Sequence, residues 1–129
     1  MSRVYVFTHA WLSPLQKGIQ AAHAVAELVR LGAPATIDWV DSYTTLILLD
    51  GGNSDMMKVT NFQATCFSHA PYETACFYED DRSMEGMLTA VAVLIPTDEA
   101  EQIARARELN SFEHTVPIIH RIVNAELAT

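Results

Sequence analysis

Six consecutive β-branched, aromatic or polar-capped residues, Arg3 to Thr8 (RVYVFT), predict a strand buried on both faces. Leu12-Ser13-Pro14 follows and starts a helix. Ser13 is a good N-cap, and Pro14 takes the first helical position, where a missing N–H costs nothing. The helix runs to about Leu31, with Gly32 as the residue just past its end. Leu15, Ile19, Ala22, Ala26 and Val29 recur every three or four residues and are expected to face the sheet. Gln16, Gln20, His23, Glu27 and Arg30 make a second stripe, expected to face solvent or a cleft.

Residues 32–42 (GAPATIDWVDS) read as a connection with a short extended piece around Trp39. Tyr43 to Leu49 is a second strand, and Asp50 to Ser54 a loop in which Ser54 caps a second helix ending near Phe67. After Pro71, Thr74 to Glu79 and Met87 to Ile95 predict two more strands in a hairpin, joined by the turn over residues 80–86. Thr97 caps a helix with acids leading and Arg105 and Arg107 trailing, as the helix dipole favours. A last helix begins after Pro117, with Ile118, Ile119, Ile122, Val123 and Leu127 as its apolar set. The order β-α-β-α-β-β predicts an α/β fold: three layers, α/β/α, around a four-stranded mixed sheet, with a C-terminal helical extension over residues 97–129. There is no internal repeat, and 129 residues suit a single domain with a real core.

Charge narrows the function. Eight basic against 16 acidic residues give a net charge of −8, which disfavours nucleic-acid binding over a broad face. A local patch remains open, since Arg3, Lys17 and Arg30 all lie in the first quarter of the chain. The N-terminus lacks the zones of a signal peptide and no apolar run is long enough to span a bilayer, so a cytoplasmic protein without membrane contact is expected. Cys66 and Cys76, ten apart, read as two reduced, buried thiols. The five histidines show no metal-ligand spacing, and no cofactor is implied.

The densest chemistry is in Gln16-Lys17-Gly18-Ile19-Gln20-Ala21-Ala22-His23-Ala24, which mixes small residues with a lysine, two amides and an imidazole. Set between the first strand and a hairpin ending in TAVAVLIP, this stretch resembles the type 2 peptidyl-tRNA hydrolases over roughly residues 3–96. Gln20-Ala21-Ala22-His23-Ala24 matches the second half of that family's first motif. The family's late Asp and Thr correspond to Asp80 or Asp81 and to Thr89, and Ile95-Pro96 stands where its Gly-Pro does. The two lysines of the first motif fall on Pro14 and Gln16. Lys17 lies three residues after the first of these positions, on roughly the same helix face.

The resemblance implies hydrolysis of the ester joining a peptide to the 3′ end of tRNA. Such a reaction needs a positioned water, oxyanion stabilisation and a proton for the leaving ribose oxygen. Lys17 or the Gln20 amide would stabilise the oxyanion. Asp80 or Asp81 would position or deprotonate water, His23 would relay a proton, and Thr89 would orient the water. Each also has a plainer use: a solvated helix residue, a helix brace, a turn former or a strand filler. The alternative is an inactive binding module that keeps the fold and serves a protein partner, tRNA or a nucleotide-like ligand, as would suit a phage or mobile-element regulator. A homodimer formed through the C-terminal apolar helix is compatible with either.

Overall fold

The computed structural model of the chain describes residues 1–42, 44–65, 72–79, 86–109 and 116–128. Its centre is the pair predicted from continuous apolar runs, β1 (Arg3–Thr8) and β4 (Met87–Ile95), antiparallel with Val6 opposite Ala92. On the outer side of β1 lies β2 (Leu46–Asp50), parallel to it. On the outer side of β4 lies β3 (Thr74–Glu79), antiparallel to it. The sheet is therefore mixed, in the order β2-β1-β4-β3. The free edge of β2 is covered by the chain's own tail: Asp50 N donates to Glu126 O at 2.8 Å and Ala128 N to Leu48 O at 3.1 Å. That pairing blunts an edge that would otherwise recruit another strand.

The first helix, α1 (Pro14–Arg30), begins where the sequence places it. Ser13 Oγ accepts from Gln16 N at 3.2 Å and Gln16 Oε1 accepts from Ser13 N at 3.0 Å, a reciprocal capping box. Gly32, at φ +67, supplies the left-handed residue after its end. Its orientation about its axis is not the predicted one. Lys17, Gln20, Ala21, Ala24 and Leu28 face the sheet, while Leu15, Ile19 and Val29 are exposed. The sheet presents Ala75, Ala90 and Ala92 on this side, a surface that Ala21 and Ala24 can approach closely. Close backbone approach won over turning the larger aliphatics inward.

Residues 34–41 form a helix, α2 (Pro34–Asp41), rather than a connection; Pro34 opens it, as Pro14 opens α1. Its Trp39 is buried against the α1 side of the sheet and donates Nε1–H to Thr45 O at 3.0 Å. β2 starts at Leu46, three residues later than expected, with Tyr43 outside the described residues.

The opposite face carries α3 (Ser54–Thr65), α4 (Thr97–Leu109) and α5 (Pro117–Asn124). Asn53, not Ser54, caps α3: its Oδ1 accepts from Met56 N at 2.9 Å. Ala100 N bonds Pro96 O at 2.9 Å, so α4 starts at Thr97 itself and Pro96 holds the cap position. Ala100, Ile103, Ala106, Ile118, Ile119, Ile122 and Val123 share one core with Tyr5, Phe7, Leu49 and Met57. The C-terminal helices are thus most of this layer rather than an appendage. The apolar set of α5 is spent inside the chain, Leu127 excepted, so it is not a free face for a dimer. Among the described residues no helix is long and apolar enough to cross a membrane.

Candidate functional site

The end of the sheet where β1 finishes gathers the polar groups. β1 and β4 are in register up to Thr8 opposite Ala90, and His9 N then donates to Thr89 O at 3.0 Å. Between β3 and β4 the pairing slips: Phe77 faces Ala90, but Tyr78 faces Leu88. Thr89 is the residue passed over, a β-bulge. Strict alternation would put Thr89 with Val91 and Val93 on the α3 side. The bulge turns it to the same side as Ala90, toward α1. Re-aiming one side chain is what bulges do at functional edges.

There Thr89 meets Gln20. The Thr89 hydroxyl donates, shared between Gln20 Oε1 at 3.3 Å and Phe77 O at 3.2 Å. Gln20 Nε2 donates to Glu79 Oε2 at 2.7 Å. The neighbours fix this sense of the amide, since the reverse would set its oxygen against a carboxylate. Gln20 is 4% exposed and Thr89 fully buried, so the chain Glu79–Gln20–Thr89 is sealed beneath α1 except at its carboxylate end. Lys17, one turn ahead of Gln20 on the same helix face, is 8% exposed and is itself engaged. His23 stacks its ring on Phe77, with centroids 4.4 Å apart and planes 11° from parallel, and remains exposed on the outer side.

Of the predicted residues, Gln20, His23 and Thr89 come to one edge of the sheet and Lys17 lies one turn earlier on α1, whereas Asp80 and Asp81 lie outside the described residues. The carboxylate seen at Gln20 is Glu79, which sequence reasoning passed over. The signal was present: in TACFYE, residues 75, 77 and 79 alternate onto one face, and Ala75 and Phe77 are apolar. Of the three cations in the first quarter, Lys17 and Arg30 do not share a patch. Lys17 is near the start of α1, while Arg30 ends it, roughly 20 Å away along the axis, and is paired with Glu27 at 2.6 Å.

A second polar pair occupies the same edge on the α3 side. Trp11 N donates to His9 Nδ1 at 3.0 Å, so the proton of the neutral ring sits on Nε2, which meets Ser54 Oγ at 3.0 Å. His9 therefore donates to Ser54 and cannot act as its base. Burial holds the His9 pKa below its ordinary value, with Asp50 opposing. Arg121, missed from sequence, braces this side: Nε donates to Thr60 Oγ1 at 2.9 Å and an amino group to Gly51 O at 3.0 Å, with the guanidinium over the Phe7 ring. Gly51 has no room for a Cβ, which would sit 2.9 Å from Thr8 O. Cys76 is half-buried beside Asn61, and burial pushes its thiol up to about 11, which leaves it unreactive.

Among the described residues no group of three or more His, Cys, Asp or Glu side chains gathers to hold a metal ion. The cleft of about 520 Å³ at the opposite end of the sheet, between Met1, Asp38, Ser42 and Pro96, has among the described residues a single charged side chain, Asp38, in its lining. Compared with known proteins, the chain matches no family model and no curated protein.

Proposed function

We propose that the chain hydrolyses the ester between a peptide and the 3′ end of tRNA, as its resemblance to the type 2 peptidyl-tRNA hydrolases implies. The observation that carries this reading is the convergence of Gln20, His23 and Glu79 at one sheet edge, with Thr89 turned into the same cluster by a bulge and Lys17 buried one turn earlier on α1. Water adds to the ester carbonyl carbon, and the carbonyl electrons move to its oxygen. The Glu79 carboxylate takes the water's proton and returns it to the ribose oxygen as the C–O bond breaks. The Lys17 ammonium, on the helix turn before Gln20, offsets the negative charge on the oxyanion. Gln20 holds Glu79 in place, and Thr89 holds Gln20. Thr89, fully buried, works through Gln20 rather than on the water itself.

The test is release of the acyl group from an N-blocked aminoacyl-tRNA. The wild-type chain should release it well above the spontaneous rate, and Lys17→Ala should lower that rate on the order of 10²- to 10³-fold. Wild-type release at the spontaneous rate would refute the enzymatic reading.

One observation favours the second reading, a binding module without the reaction: Gln20 and Thr89 are closed off from solvent, so among the described residues His23 and Glu79 are what the cluster presents at its rim. That module would bind tRNA or a protein partner and leave the ester intact.

A further inference from the structure

We infer that the outer face of the His23 ring, backed by Phe77, is a stacking seat for a nucleobase. In the hydrolase reading, on which this last identification rests, the base is the adenine at the 3′ end of tRNA. Phe77 is part of the packing between α1 and the sheet, so it is a fixed support. The two rings lie 11° from parallel at 4.4 Å, which covers the inner face of His23. His23 is nevertheless exposed, so the surface it offers is its outer face and edge. Ala22 and Ala26, beside it on α1, are small and also exposed.

A stacked pair that opens one flat face to solvent is the construction that single-stranded nucleic-acid sites use, and it tolerates any base because every base has a π-face. It also suits this chain's charge. A net charge of −8 opposes phosphate contacts, while stacking needs none. The spacing fits the chemistry. His23 follows Gln20 by three residues, a rise of roughly 4.5 Å along the helix. A terminal nucleoside carries its ester on the ribose attached directly to the base, so a base on His23 sets the ester over the Gln20–Glu79 pair. Such a seat uses the plane of the imidazole and makes its proton incidental, which separates it from the proton-relay role expected from the sequence.

The experiment has two parts. Adenosine 5′-monophosphate is titrated into the whole chain while the ring signals of His23 and Phe77 are followed by NMR, with ribose 5-phosphate as the base-free control. Both rings should shift with the nucleotide and not with the sugar phosphate. The apparent affinity should fall roughly 5- to 100-fold in His23→Ala and return in His23→Phe. Ring signals that stay still, or equal competition by ribose 5-phosphate, would overturn the seat. In the hydrolysis assay, His23→Ala should raise KM more than it lowers kcat, and His23→Phe should restore KM. A kcat lost equally in both variants would make His23 a proton carrier and overturn the proposal. The two readings fail separately: nucleotide stacking without hydrolysis ends the enzyme and keeps the seat, and hydrolysis with silent ring signals does the reverse.

Discussion

The two faces of the sheet are built for different ends. On the α3–α5 side, Phe7, Leu49, Ile95, Ile103, Ile118, Ile119 and Ile122 fill the interior with large aliphatic and aromatic groups. On the α1 side the core is thinner, with five alanines (Ala21, Ala24, Ala75, Ala90 and Ala92) among its members. It also admits Gln20 and Thr89 beneath the helix, linked to Glu79. Polar groups in a core contribute little net stability even when satisfied, and cost more when one partner is lost. The difference teaches that one face holds the large apolar packing and the other gives up part of it to a buried polar chain.

The largest effect should come from the heavy face. Ile119→Ala, at a fully buried position, should cost about 2–5 kcal/mol by chemical denaturation, with activity per folded molecule unchanged. A loss below about 1 kcal/mol would mean that the two faces share the load. Thr89→Val is smaller and sharpens the contrast. It keeps the shape but leaves Gln20 Oε1 and Phe77 O without their donor, for about 1–2 kcal/mol, and it should lower activity by loosening Gln20.

The smallest effect is one of pH. His9 is held neutral in the fold, with a pKa below its unfolded value of about 6.5. The unfolded chain therefore binds more protons in the window between those two values. The stability it contributes is complete above about pH 6.5 and is lost as pH falls through the folded value. Protonated, His9 can no longer accept from Trp11 N. Thermal melts from pH 7.5 down should show this loss in the wild type, and the slope between pH 6.5 and the folded value should flatten in His9→Gln. Identical slopes would remove His9 from the account.

How much of this was legible in the sequence follows the same division. The bounds of α1 read directly, from Ser13, Pro14 and Gly32, whereas the caps of α3 and α4 fall one residue earlier than expected, and the continuous runs of β1 and β4 mark the centre of the sheet. The short α2 was hidden because Gly32 and Pro34 look like loop punctuation when Pro34 in fact opens a helix. The side of α1 that meets the sheet was misjudged because its most hydrophobic stripe lies outward, and only the alanines of the facing strands explain why. Within the site, Gln20 and His23 could be singled out from residue type and spacing. Thr89 could be named but its direction could not, since a bulge is a one-residue slip that alternation does not encode. Glu79 was overshadowed by the two acids that follow it.

The most direct measurement pairs stability with activity in Gln20→Met, which keeps length and volume but removes the amide. If the α1 face is there for chemistry, the stability loss should stay at about 1 kcal/mol, since Thr89 still donates to Phe77 O and Glu79 is only half-buried, while release of the acyl group from blocked aminoacyl-tRNA falls on the order of 10²-fold or more. A larger stability loss with release unchanged would contradict the account and make Glu79–Gln20–Thr89 a structural strut.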